Sequence, residues 1–185
     1  MRVLIAVLCL IILAACTLDV PNPEGLATDA PSGGGSNNTA APTGGSNNNE
    51  GTLAQVNFVV DGDTIDVEIG GQSYRVRYIG MNTPEREEEC YQEAKDANAR
   101  LVEGQTVRLV FDTSDTDRFD RLLRYVYVGD TFVNAELVRE GYAEVVNYPP
   151  DDAQFDNFRQ LEQAAVGAGL GCHPTGIFDD NTYER

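Results

Sequence analysis

The chain has 185 residues and a formal net charge of −17 at pH 7, with one histidine and four cysteines. That balance excludes broad, non-specific capture of polyanions on a basic surface, so any contact with nucleic acid must come from a few local arginines. The length allows one small domain plus additional segments.

The additional segments stand at the start. Arg2 precedes an apolar run from Val3 to Leu13 that ends in Leu13-Ala14-Ala15-Cys16. The run is too short to span a bilayer and has the charged start, apolar middle and small-residue end of a secretory signal. Leu-Ala-Ala-Cys resembles the bacterial lipobox, which implies a signal peptide of residues 1–15, cleavage before Cys16 and acylation of its sulfur. The protein is then expected to be exported and lipid-anchored to the cell membrane within the bacterial envelope. Stable anchoring needs more than one acyl chain there. Residues 16–51 read as the anchor cysteine and a Gly/Ser/Asn/Pro linker with nothing to bury. About 34 residues of that composition reach roughly 30 Å. Residues 52–185 read as the folded domain.

Cysteine use fits an exported chain. Cys9 leaves with the signal and Cys16 carries lipid, so Cys90 and Cys172 remain as a disulfide pair in an oxidising compartment. Such a bond closes a loop of about 80 residues, worth roughly 4–5 kcal/mol in the chain-entropy model. Together with His173 these cysteines make a poor zinc set. His173 reads as a surface loop residue.

The folded part opens on two β-branched runs, Leu53 to Val60 and Ile65 to Ile69, joined by Asp61-Gly62-Asp63-Thr64. This reads as a tight hairpin with Gly62 free to take a positive φ. Asp61 and Asp63, roughly 6.6 Å apart along the backbone, share one field but not one proton. Gln72 to Ile79 is the third strand, with Tyr74, Val76 and Tyr78 facing a core and Arg75 and Arg77 on the other face. Asn82-Thr83-Pro84-Glu85 turns the chain into a helix over Tyr91 to Val102, stopped by Gly104. Gln105 to Phe111 and Leu122 to Val128 are the fourth and fifth strands. Helices follow over Val133 to Glu140 and from Asp152 to about Val166, the latter with an apolar stripe through Phe155, Phe158, Leu161 and Ala165. Five short strands with a helix after the third suggest a small α+β fold built on a five-stranded Greek-key barrel of the oligonucleotide-binding (OB) class. An open α+β sandwich is the alternative.

Four motifs now stand in register: Asp61-Gly62-Asp63-Thr64; Arg77 five residues before Asn82-Thr83-Pro84-Glu85; Asp117-Arg118-Phe119-Asp120-Arg121; and Val133-Asn134-Ala135-Glu136-Leu137-Val138-Arg139-Glu140-Gly141. In this order they resemble the staphylococcal nuclease family, the thermonucleases, over about Leu53 to Leu170. The resemblance implies an OB barrel and calcium-dependent hydrolysis of phosphodiester bonds in DNA or RNA, with nucleic acid as the partner. The membrane is expected to be met through the lipid anchor alone, and the protein to be a monomer. It implies a metal site at Asp63, at position 82 and at the carbonyl of Thr83. Glu85 matches the glutamate that activates or positions the attacking water, Arg77 and Arg121 the arginines on the scissile phosphate, and Arg118 and Phe119 the basic and aromatic residues near the nucleotide.

Elementary chemistry runs the same way. A phosphodiester is a shielded anion, so its hydrolysis needs cations to neutralise charge, an activated water and a stabilised leaving oxygen. Calcium accepts carboxylate, amide and backbone oxygens in flexible geometry. Arginines donate bidentate, permanently charged hydrogen bonds to the phosphate, and a base can stack on Phe119. The departures from the family pattern are Asn82, where it has a second calcium-ligating aspartate, and Asp120, where it commonly has glycine. Asn82 keeps an oxygen but loses a charge, which predicts a weaker calcium site. Asp120 is expected either to pair with Arg121 or to repel the phosphate. Two rival readings remain: a non-catalytic barrel that binds single strands or a protein partner, and a purely structural envelope lipoprotein.

Overall fold

The computed structural model describes residues 51–179. The expected signal segment, Cys16 and nearly all of the expected linker lie outside the described residues, as does the chain beyond residue 179.

Within them, β1 (Thr52–Val59), β2 (Thr64–Ile69) and β3 (Gln72–Tyr78) form an antiparallel meander. Its residues alternate between core and solvent as a half-buried sheet requires, with Ala54, Val56, Ile65, Val67, Val76 and Tyr78 all buried. A register shift between Val56 and Phe58 breaks the alternation in β1. It turns Val59 inward and leaves Phe58 more than half exposed beneath the Lys95 ammonium.

A two-residue strand, β4 (Met81–Asn82), leads to α1 (Tyr91–Val102), then β5 (Thr106–Val110) and β6 (Leu122–Val128). β5 pairs antiparallel with both β1 and β6, and β6 pairs parallel with β3 in the register Val76↔Leu122 and Arg77↔Leu123. That parallel pairing closes a five-stranded mixed barrel, β1-β2-β3-β6-β5. The OB expectation holds and the open sandwich does not.

Short β7 (Thr131–Phe132) folds back antiparallel on the end of β6 and runs directly into α2 (Val133–Arg139). β8 (Glu144–Val145) pairs antiparallel with β4 outside the barrel, matching Met81 to Val145 and Asn82 to Glu144. The last helix, α3 (Phe155–Ala168), starts three residues later than expected, because Asp152 accepts a turn hydrogen bond from the Phe155 N–H rather than capping a longer helix. Phe158 fills the space left by Gly80, and Glu162 accepts the Val145 N–H at 2.7 Å.

Two buried amides tie these layers to the barrel. Asn134 accepts the Val126 N–H at 2.9 Å and donates to the Ile79 carbonyl at 3.1 Å, which gives the Val133-Asn134 motif a structural role. Asn98 of α1 accepts the Tyr78 hydroxyl and donates to the Asp61 carbonyl, both at 2.9 Å, so the helix holds the β1–β2 connection. The expected disulfide is present: Cys90, at the start of α1, is bonded to Cys172 with S–S 2.07 Å. His173 departs from the surface expectation. It is partly buried edge-on to Phe178, and desolvation holds its pKa below the ordinary value despite nearby Asp179.

Candidate active site

The β1–β2 connection, the end of β3 and the segment before β6 meet at a cleft of about 520 Å³. Asp61, Asp63, Arg77, Glu85, Arg118, Phe119 and Arg121 all line it. Asn82 and Thr83 are buried behind Asp63 and Arg77, and bond to them.

Asp63 is the hub. Its Oδ2 accepts the Thr83 N–H at 2.9 Å and the Thr83 hydroxyl at 3.1 Å, and lies 2.8 Å from Arg77 Nη1; its Oδ1 accepts the Thr64 hydroxyl at 3.0 Å. Neighbouring Asp61 receives the Asp63 N–H on Oδ1 at 3.2 Å. Burial, with the like charge of Asp63 second, pushes the Asp61 carboxyl up to about 6.

Gly62 corrects the turn expectation. It does not adopt a positive φ. A Cβ there would lie 2.7 Å from the Thr83 side chain, so glycine is required by the close approach of two backbone segments rather than by the handedness of a turn. Gly62→Ala is expected to displace Thr83 from Asp63, costing about 1–3 kcal/mol of stability. Urea unfolding checks this; an unchanged midpoint would show that the contact yields freely.

The two arginines of β3 have different fates. Arg75 pairs bidentately with Asp66 on the exposed face. Arg77, whose side chain is only 12% exposed, is sunk beside Asp63. Its Nη1 also donates to the carbonyls of Met81 at 3.1 Å and Tyr78 at 3.3 Å, and its Nη2 donates to Asn82 Oδ1 at 3.0 Å.

Across the cleft, Arg121 donates from Nε to Asp117 Oδ2 at 2.7 Å and from its main-chain N–H to Asp117 Oδ1 at 3.0 Å. Partial burial works against the Asp117 carboxylate. The bonds from Arg121 and from the Phe119 N–H outweigh it and hold its pKa below the ordinary value. With Nε committed, the two terminal nitrogens of Arg121 are the ones it can turn on a ligand. Its ion-pair partner is thus Asp117 and not the expected Asp120. Asp120 instead sits at φ 61°, the left-handed conformation that suits glycine there. Phe119 is 62% exposed, with the Arg118 guanidinium 4.7 Å and that of Arg121 5.5 Å from its ring centroid. Glu85 is exposed at the cleft, ordered by its own N–H, which donates to Glu88 Oε2 at 2.7 Å.

Three contributors carried no legible signal in the sequence. Buried Asp151 accepts the N–H groups of Thr113 at 2.8 Å and Ser114 at 2.7 Å, tying the segment that carries Asp117–Arg121 to the Pro149–Pro150 turn, where the peptide bond is cis. Tyr148 lines the same wall. Glu144, almost fully buried, accepts the Asn82 Nδ2 hydrogen at 3.1 Å.

The donors suit a hard, oxygen-preferring cation. Two adjacent carboxylates, one of them raised partly by the other, leave the negative field that such a cation relieves. Among the described residues no three His, Cys, Asp or Glu side chains converge as a metal-binding group. A cation here would therefore have to draw on oxygens other than carboxylates as well.

Comparison with known proteins agrees with this geometry. Residues 75–172, just over half of the chain, match the staphylococcal nuclease homologue family. The thermonuclease of Staphylococcus intermedius is 39% identical over 103 residues, covering 52% of this chain and 61% of that protein. The thermonuclease of Staphylococcus hyicus is 36% identical over 113 residues, covering 58% and 67%. The SPbeta prophage-derived endonuclease YokF of Bacillus subtilis (strain 168) is 40% identical over 132 residues, covering 67% and 43%. This chain thus spans between about two fifths and two thirds of these relatives' own lengths. With a closed mixed barrel and a family match over more than half its length, the chain belongs to the staphylococcal nuclease family.

Proposed function

We propose that the protein hydrolyses phosphodiester bonds of DNA or RNA with calcium, as a monomer exported and lipid-anchored through Cys16 at the outer side of the cell membrane. The observation that carries the catalytic reading is the cleft itself, where Asp63, Arg77, Glu85 and Arg121 meet although they come from four separate segments. The relatives, a thermonuclease and an endonuclease by name, support the same reaction class.

Arg121 binds a phosphoryl oxygen through its terminal nitrogens, held in orientation by Asp117. Arg77 places a fixed positive charge at the floor, where negative charge builds as phosphorus becomes five-coordinate. Glu85, at the solvent side, accepts the proton of the attacking water or holds that water in line. Phe119 offers a stacking face for the neighbouring base. Asp63, Asn82 and the Thr83 carbonyl hold calcium, which when bound neutralises phosphoryl charge and polarises its ligands.

The test is hydrolysis of single-stranded DNA by the full chain, with calcium titrated from chelator upward. Turnover that requires calcium supports the reading, and none at any calcium concentration in folded protein sinks it. The net charge of −17 adds a condition. Long-range repulsion fades as the Debye length shortens to about 8 Å at physiological ionic strength. Activity is therefore expected to hold or rise on going from low to moderate salt, whereas a steep fall would contradict this account.

A further inference from the structure

Asn82 is the departure that most weakens the expected metal site, and its surroundings explain it. Its amide lies between a donor and an acceptor. Arg77 Nη2 donates to Oδ1 at 3.0 Å, and Glu144 Oε1 accepts from Nδ2 at 3.1 Å. An arginine can only donate, so this arrangement permits one orientation of the amide, with its oxygen toward Arg77 and its nitrogen toward Glu144. The two residues are also paired in backbone register across the β4–β8 ladder, so their proximity is built into the fold. Both are nearly fully buried, at 8% and 3% exposure.

An aspartate at position 82 would be poorly accommodated here. Two carboxylates about 3 Å apart in a buried site repel, and neither could donate to the other while both are ionised. A glutamate at 144 therefore favours an amide over a carboxylate at 82. We propose that they act as one unit: Glu144 is a positioning residue that fixes the Asn82 oxygen toward the cation site and supplies from behind the negative charge an aspartate at 82 would have carried. This rests on the calcium reading above and changes its expected strength. The site keeps its charge, moved one side chain outward. Outer partners of metal ligands commonly govern affinity by about 10–100-fold.

The test uses the full chain, with calcium affinity measured by titration calorimetry and thermal midpoint measured in chelator. Four variants are compared with the parent. Glu144→Gln retains a hydrogen-bonding oxygen but removes the charge, and should weaken calcium binding about tenfold; Glu144→Leu also frees the amide and should weaken it further, toward about a hundredfold. Asn82→Asp alone should lower the calcium-free midpoint and fail to tighten calcium. In Asn82→Asp with Glu144→Gln, the glutamine can donate to the new aspartate, so midpoint and affinity should both recover to at least the parent's.

Tighter calcium binding in Asn82→Asp alone, with an unchanged midpoint, would overturn the pairing, as would parental affinity in Glu144→Gln. If no protein in the set takes up calcium, the metal reading fails and this role for the pair fails with it. The calcium-free midpoints identify that case, because the Asn82→Asp loss and its rescue appear there without any metal.

Discussion

Glu85→Gln is expected to lower kcat on single-stranded DNA by about 10²–10⁴-fold, the range supplied by a positioned general base. The substitution keeps size and polarity but removes the carboxylate's charge and, with it, the ability to take a proton. The Glu85 side chain is exposed, and the hydrogen bond that orders the residue uses its main-chain N–H. Stability should accordingly stay within about 0.5 kcal/mol of the parent, as for most surface substitutions. Calcium affinity should change little. Single-turnover kinetics beside a urea titration separates the outcomes. Near-parental turnover would remove Glu85 from the mechanism and leave the arginines and the cation as the agents of catalysis.

Arg77→Met should do the opposite kind of damage, striking the fold first. Four groups at the cleft floor bond to this one guanidinium: Asp63, Asn82 and the carbonyls of Tyr78 and Met81. Methionine fills much of the volume but leaves the Asp63 carboxylate buried without its counter-charge. Breaking a buried pair from one side costs about 3–5 kcal/mol. The measured loss should be lower than that in calcium, because a cation at Asp63 substitutes for part of the missing charge. Arg77→Lys should recover some stability through Asp63, but little turnover, since an ammonium cannot span Asp63 and Asn82 together. A loss below about 1 kcal/mol in chelator would mean that Asp63 is satisfied by Thr83 and Thr64 alone.

How much of this was legible in the sequence follows the range of each interaction. The five barrel strands and three helices announced themselves through local alternation and apolar stripes, because burial on one face is a periodic property. The two-residue strands β4, β7 and β8 could not, since nothing repeats within two residues. Gly62 was recognised as special for the wrong reason: its constraint is Thr83, some twenty positions away, and not its own turn. The motif residues were legible through their register with a known family. Glu144 and Asp151 were not, because each looks like an ordinary acid on a polar stretch until the fold brings it to Asn82 or to the Thr113–Ser114 amides. A buried carboxylate whose partner is 62 residues away leaves no local trace.

The parallel pairing of β3 with β6 also governs when the site comes into being. During synthesis the chain emerges from its N-terminus, and the antiparallel meander of β1, β2 and β3 can assemble with Asp63 and Arg77 already in place. Arg121 arrives only with β6, whose docking closes the barrel, and Glu144 arrives later still, with β8. Non-local strand pairing of this kind forms slowly, on a scale of about milliseconds to seconds, because loop entropy must be lost before the contacts reward it. The cleft is thus among the last features to exist, and a chain that has not yet closed its barrel carries the ingredients of the site in no working arrangement.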